Sequence, residues 1–487
     1  MSTTQNLKER LASARTTLAA AGQSHVLAYA NELTEPQLAD LLSQIESVDW
    51  PEVTRLIQSH VKNTPKFKLP QKLDPAPWYP NDPGLKLREK YQKALALGRQ
   101  LIRRGKVAAF TVAGGQGTRL GWAGPKGTYA ATPIRGMSLF GCMAEYIRKT
   151  QTKYNTIIPW YIMTSPVNDA ATRAFFKDNQ YFGLAGENVM FFPQAMMPAI
   201  SMVGADTGKV LMDGKGQIAL SPNGHGGSLK ALYTSGAIAD MKKRGIEQIS
   251  YTQVDNPIVR VVDPLFIGLH ALDGCEMSSK MLPKAYPKEK LGNFCIVDGK
   301  MTVIEYSDLP DALAEERTAD GELRFRAGSI ALHAIRVDFV ESLNLKGDFG
   351  LEFHRAEKKV PYLDAQGKRV IPTANNAVKL ETFVFDALPL TKKSIIYETD
   401  RVDEFAPIKN ADATGPEPSV DSPITAKRGQ TERAGRWLEQ MGVPVARDAQ
   451  GRVDAVIEIS HLTATEPQDL YGVKLPLEVK RGDRVLL

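Results

Sequence analysis

The stretch VAGGQGTRLGWAGPKG, Val112 to Gly127, carries the residue types best suited to binding a highly charged anion. Gly114, Gly115 and Gly117 have no side chain to keep backbone amides away from a polyphosphate, and glycine adopts positive φ at little cost. Arg119 and Lys126 add positive charge to the same loop. Counting GxGxxG from Gly115 places Leu120 where the third glycine of a dinucleotide fingerprint belongs, and no GK[ST] closes a Walker A loop. The glycines alone would suit an ordinary turn; Arg119, Pro125 and Lys126 favour an anion site. Asp255 ends the run ISYTQV, where a strand-end carboxylate is placed to hold a magnesium ion that also touches phosphate oxygens. Followed by Asn256 and Pro257, it fits equally well a turn residue bonded to its own backbone.

The pattern around these residues predicts the elements that must position them. VAAFTVAG, TIIPWYIMTS, NVMFF and ISYTQVDN are short apolar runs separated by helical stretches, as expected of parallel strands covered on both faces, whose carboxyl ends bind ligands. CIVDGKMTVIEY, with Asp298-Gly299 between two runs, predicts a β-hairpin. Before Lys106 the chain reads as helical: Leu38, Leu41, Leu42 and Ile45 share one face, and Thr34 and Gln37 have capping-box spacing. Asn63 to Gly84, rich in proline and aromatics, predicts an extended strap, and Ala406 to Lys427 a long loop. The expected division is a helical segment over 1–105, a central domain over 106–390 and a small C-terminal domain over 391–487.

At 487 residues the chain exceeds what one core usually supports. With 43% hydrophobic and 24% charged residues it should fold as an ordinary globular protein. A net charge of +6, without blocks of like charge, gives no reason to expect nucleic acid. No apolar run reaches membrane-spanning length and the N-terminus lacks a secretory core, so no membrane partner is expected. Cys142, Cys275 and Cys295 have no ligand spacing, and Cys142 reads as core packing. The expected location is cytoplasmic.

The glycine-rich loop resembles the nucleotide-binding signature of the UTP-dependent sugar-1-phosphate uridylyltransferases, most closely the branch of the UDP-N-acetylglucosamine pyrophosphorylases. PWYIMTS, FFKDNQYFGL, MMPAI, YTQVDNPIV, DPLFIG, VIEYSDL, FAPIKNAD and VIEIS resemble further stretches of that family, in order, along most of the chain. The resemblance implies an α/β fold: a Rossmann-like, GT-A-like nucleotidyltransferase mixed sheet with a helical N-terminal segment and a small C-terminal domain. It implies synthesis of a UDP-sugar and pyrophosphate from UTP and a hexose or N-acetylhexosamine 1-phosphate, with Mg²⁺ or Mn²⁺ as cofactor. Such reactants bring together roughly six negative charges, each pair at ~4 Å repelling by about 4 kcal/mol at an effective dielectric near 20. Cations and one carboxylate are therefore expected rather than a nucleophilic triad.

Carried over residue by residue, the resemblance implies catalytic roles for Arg119, Lys126 and Lys409, and a metal-binding role for Asp255. It implies nucleotide contacts from Ala113, Gly114, Gly115, Gly117 and Thr118, with Gln194 and Gly224 at the uracil. His225, Gly292, Glu305, Tyr306 and Ser329 match positions that line the sugar. His225 and Ser329 depart from the N-acetylglucosamine branch, which has asparagine at both, and GHG looks more like the UDP-glucose and broad-specificity branches. Two other readings compete: a non-catalytic nucleotide-sugar binding protein, which the joint presence of Arg119, Lys126, Asp255 and Lys409 opposes, and a nicotinamide-dependent oxidoreductase, which the missing third glycine opposes.

Overall fold

The computed structural model describes residues 3–63, 69–345, 350–415 and 418–487. The chain groups into two compact units, one of Met1–Lys68, Gln194–Ser228 and Leu351–Val384, the other of Leu69–Pro193, Leu229–Gly350 and Phe385–Leu487. This grouping differs from the linear division at 105 and 390. The first helices bury their apolar faces against strands supplied by two later segments, and a strand from beyond residue 390 enters the main sheet.

In the first unit, α1 (Thr3–Ala20), α2 (Glu35–Ser47) and α3 (Trp50–Leu56) accompany an antiparallel sheet of Phe353–Lys358, Ala377–Thr382 and Ile200–Ser201. As the periodicity predicts, α2 buries Leu41, Leu42 and Ile45, with Leu38 at the margin. They share a core with Leu18, Ile200, Val210, Val378 and Leu380. Thr34 N–H donates to Gln37 Oε1 at 3.0 Å, the expected reciprocal cap.

The second unit is built on a ten-stranded mixed sheet. In chain order its strands are β1 (Leu73–Pro75), β2 (Val107–Val112), β3 (Trp160–Thr164), β4 (Val189–Pro193), β5 (Gln248–Gln253), β6 (Met277–Pro283), β7 (Gly292–Val297), β8 (Lys300–Ile304), β9 (Ala327–Arg336) and β10 (Ile396–Glu398). The four predicted apolar runs form β5, β2, β3 and β4, adjacent and parallel in that order. β2, β3 and β4 are mostly apolar on both faces because both are covered: Ala109 and Ile162 face the core shared with Phe140 and Ile147, while Phe110 packs on Tyr251 and Phe192. β5 instead buries Ser250 and Thr252, whose hydroxyls bond to Val261 O at 2.6 Å and Thr111 Oγ1 at 3.1 Å. β5 also pairs antiparallel with β9, which pairs with β6 and β7. β7 and β8 form the predicted hairpin; Asp298 and Gly299 both have positive φ, 49° and 77°, as a two-residue type I′ turn requires.

Three sequence expectations differ from the structure. Residues 64–68 of the predicted strap lie outside the described residues, and its Leu73–Pro75 is an edge strand pairing with Val297–Cys295 rather than irregular chain. The predicted loop over 406–427 ends early, because Pro423 is tolerated in a first helical turn and Ser422 caps Thr425 N–H, starting an 18-residue helix, Pro423–Gln440; residues 416–417 lie outside the described residues. The region after 390 has its own small core around Trp437, Leu438 and Ile457, yet groups with the sheet.

Two helices behind the sheet cross at glycines. α4 (Gly84–Arg103) and α5 (Pro264–Leu272) approach so closely that a Cβ on Gly98 would lie 1.7 Å from Pro264 O, and one on Gly268 1.8 Å from Ala94 O. Backbone atoms cannot step aside as a flexible side chain can. Gly98→Ala should therefore destabilise by about 1–3 kcal/mol, although helix propensity alone would favour alanine by ~1 kcal/mol. Urea unfolding checks this, and a raised midpoint would refute the close-packing argument.

Candidate active site

Parallel strands in register place their carboxyl-end loops along one edge of the sheet. There Val112 leads into the glycine-rich loop and Gln253 into Asp255, and Val254 N–H donates to Val112 O at 3.2 Å. The loop is closed by Gly117 N–H to Gly124 O at 3.0 Å and Lys126 N–H to Gly115 O at 3.1 Å. Asn168 Nδ2 donates to Ala113 O (3.0 Å) and Gly115 O (3.2 Å), tying it to the end of β3. None of Gly114, Gly115 and Gly117 has positive φ, so the expected left-handed backbone is corrected. A Cβ on Gly117 would lie 2.6 Å from Trp122 Cβ, so the close approach of that side chain needs glycine, while Gly115 faces open space. Ala113 is buried and Thr118 exposed.

Lys126 Nζ lies 3.6 Å from Asp255 Oδ2, with both side chains mostly buried. The turn role considered for Asp255 belongs instead to Asn256, whose Oδ1 accepts from Ile258 N–H at 3.2 Å. Arg119 stands exposed on the same loop.

Lys409 is distant in sequence but adjacent here: Ile408 N–H donates to Asp255 O at 2.8 Å. Asn256 strengthens this junction, donating Nδ2–H to Glu404 O at 2.6 Å and accepting from Ala406 N–H at 3.3 Å. Beneath it, buried Lys280 on β6 donates to Asp263 (2.7 Å) and to both oxygens of Glu404 (2.6 and 2.7 Å). Burial opposes ionisation of Asp263, but Lys280 and Arg260 outweigh it and hold the carboxyl down to about 2. Lys409 Nζ lies 3.5 Å from Asp421 Oδ2. Burial raises the Asp421 carboxyl above its ordinary value against the pull of Lys409, and nearby Asp255 adds to the rise.

The structure thus gathers Lys126, Asp255 and Lys409, together with Asp421, which the sequence reading missed. A Val-Asp-Ser-Pro turn gives no sign of chemistry. Lys280 left a visible signal, a lysine inside the otherwise uncharged run MSSKMLP.

Among the sugar-pocket candidates, Gly292 and Ser329 are cross-strand partners on β7 and β9. A Cβ on Gly292 would lie 2.6 Å from Val303 Cγ1, which would have to shift, and at ordinary contact distance, 3.4 Å, from Glu305 Oε1. Tyr306 follows Glu305 and is exposed. Gln194, Gly224 and His225 belong to the other unit. There Gln194 is buried, and Gly224, at φ 84°, would put a Cβ 2.3 Å from Thr382 O. His225 Nδ1 accepts from Val384 N–H at 3.1 Å, and the ring stacks on Phe383 with centroids 5.3 Å apart. Burial lowers its pKa to about 4, His354 adding to the effect, so the ring is neutral with its proton on Nε2. His225 lies just before the helix Gly227–Thr234. Cys142 is buried in the helix Leu139–Tyr154, and burial pushes its thiol up, consistent with packing.

Among the described residues no group of three or more His, Cys, Asp or Glu could hold a metal ion. Magnesium does not need one, since it commonly takes one or two carboxylates and completes its shell with waters and substrate phosphates. The donor set at Asp255 fits an ion that arrives with a polyphosphate.

A mixed α/β sheet whose neighbouring strand-end loops present two cations and a carboxylate is the architecture of a nucleotidyltransferase. The family model for UTP–glucose-1-phosphate uridylyltransferase matches residues 80–414, and the chain belongs to that family. It is 35% identical over 474 residues to UDP-N-acetylhexosamine pyrophosphorylase-like protein 1 of Xenopus tropicalis, covering 91% of this chain and 90% of the relative. It is 34% identical over 439 residues to the UDP-N-acetylglucosamine pyrophosphorylase of Saccharomyces cerevisiae, covering 87% and 90%. The crystal structure of the Trypanosoma brucei UDP-N-acetylglucosamine pyrophosphorylase, solved with an inhibitor, superposes with a TM-score of 0.82 at 26% identity over 98% of both chains.

Proposed function

We propose that this chain is a uridylyltransferase that makes a UDP-sugar and pyrophosphate from UTP and a hexose 1-phosphate, the hexose being N-acetylglucosamine. The observation that carries the reading is the junction of Lys126, Asp255 and the Lys409 segment, with Lys126 3.6 Å from Asp255 and Ile408 bonded to its carbonyl. A phosphate oxygen of the sugar phosphate attacks the α-phosphorus of UTP as the bond to the bridging β-oxygen breaks, and pyrophosphate leaves. The nucleophile is already ionised at neutral pH, so the protein supplies charge and alignment rather than a base.

In this reading Ala113, Gly114, Gly115, Gly117 and Thr118 line the triphosphate. Arg119, Lys126 and Lys409 offset charge on the phosphates, Lys126 and Lys409 chiefly as the α-phosphate gains negative character. Asp255 would hold Mg²⁺ or Mn²⁺, whose chemistry is to neutralise and polarise phosphate oxygens. Gln194 and Gly224 address the uracil; Gly292, Glu305, Tyr306, Ser329 and His225 address the sugar. A reducing, cytoplasmic location suits three cysteines that are all buried and free.

His225 and Ser329 favour a second reading, with glucose 1-phosphate as the sugar or a broad specificity. Asparagine offers a donor and an acceptor, whereas His225 has committed Nδ1 to Val384. Pyrophosphate release from UTP and Mg²⁺ with glucose, galactose, N-acetylglucosamine and N-acetylgalactosamine 1-phosphates separates the readings. The N-acetylglucosamine ester should turn over fastest; turnover of the glucose ester alone would overturn the sugar, and no turnover with any would overturn the reaction.

A further inference from the structure

Asp421 takes φ 55°, a left-handed conformation that side-chain-bearing residues adopt rarely and that Asp and Asn tolerate best. In that conformation its carbonyl accepts from both Lys409 N–H (2.6 Å) and Asn410 N–H (3.0 Å), while its carboxylate stands 3.5 Å from Lys409 Nζ. Neighbouring bonds stitch the same two segments together: Asn410 Nδ2 to Val420 O at 2.8 Å and Ile424 N–H to Asp412 Oδ1 at 2.9 Å. One residue thus grips Lys409 at both ends, backbone and ammonium. Ile408 N–H donates to Asp255 O at 2.8 Å, so the Lys409–Asp421 pair follows directly on the Asp255 junction, where the polyphosphate binds in the uridylyltransferase reading. A negative charge there weakens ground-state binding of an anion; holding a flexible four-carbon lysine in one geometry is what offsets that cost.

We propose that Asp421 is a positioning residue for Lys409, presenting its ammonium to the phosphates in a single orientation. The inference rests on the uridylyltransferase reading above. Asp421→Asn keeps the size and the tolerance for positive φ while removing the charge. It should lower kcat about 10- to 100-fold, the scale of a misplaced catalytic group, with KM for UTP unchanged or lower because a repelling carboxylate is gone. In a Lys409→Ala background the same substitution should cost less than about twofold. Undiminished kcat in Asp421→Asn overturns the proposal, as does an equal loss in both backgrounds, which marks a purely structural role. Recovery of Asp421→Asn at raised Mg²⁺ also overturns it, by making Asp421 a metal ligand. UTP affinity by calorimetry on the same four proteins keeps the two readings apart. A wild type that binds UTP but releases no pyrophosphate fails the reaction alone, while strictly additive effects on kcat fail the positioning role.

Discussion

Lys126→Ala should reduce kcat by about 10²–10³, or ~3–4 kcal/mol of transition-state stabilisation, the usual effect of deleting a preorganised electrostatic group. The main-chain hydrogen bond from residue 126 to Gly115 O survives in alanine, so the loop keeps its closure and the loss reports on the ammonium. Lys126 is mostly buried against Asp255, where a charge works in a weaker dielectric than water. Its removal also leaves Asp255 without that ion-pair partner, and the bare carboxylate repels the polyphosphate, so UTP binding should weaken as well as turnover. Steady-state pyrophosphate release and a thermal melt check the two parts. A folded Lys126→Ala protein with near-normal turnover would remove Lys126 from the mechanism.

Lys280→Met should destabilise the second unit by about 3–5 kcal/mol, the cost of stripping the partner from buried charges. Asp263 and Glu404 would both be left in the interior, and one must then take up a proton or draw in water. Glu404 accepts Arg260 N–H and Thr399 Oγ1–H, and its backbone carbonyl accepts Asn256, so the strain passes directly to the junction that carries Lys409. Activity should therefore fall in the protein that remains folded. Lys280→Met/Glu404→Gln should recover part of the stability, since Asp263 is then the one carboxylate deprived of Lys280, and Arg260 Nη1 still stands 4.0 Å from it. Chemical unfolding of the three proteins tests this, and a single substitution costing under about 1 kcal/mol would show the cluster to be hydrated like a surface pair.

Local sequence determined what depends on neighbouring residues. β2, β3 and β4 were legible because strands covered on both faces are mostly apolar, and the β7–β8 hairpin because Asp-Gly takes positive φ readily. The glycine loop with Arg119 and Lys126 was legible for the same reason, its parts lying within sixteen residues, Val112 to Gly127. Lys409 and the sugar-pocket residues were legible only through their resemblance to a family, since a lone lysine or serine carries no local signal.

Tertiary structure decided the rest. It showed that Gly114, Gly115 and Gly117 do not take positive φ, that the N-terminal helices share a core with segments near residues 200 and 380, and that Asp421 stands at Lys409. It also brought Lys280 to Glu404, 124 positions away, through the pairing of β6 with β10 just before that glutamate. A periodicity reports which face of an element is dry. It cannot report which distant element dries it, because that choice is made by the closure of the whole chain around its cores.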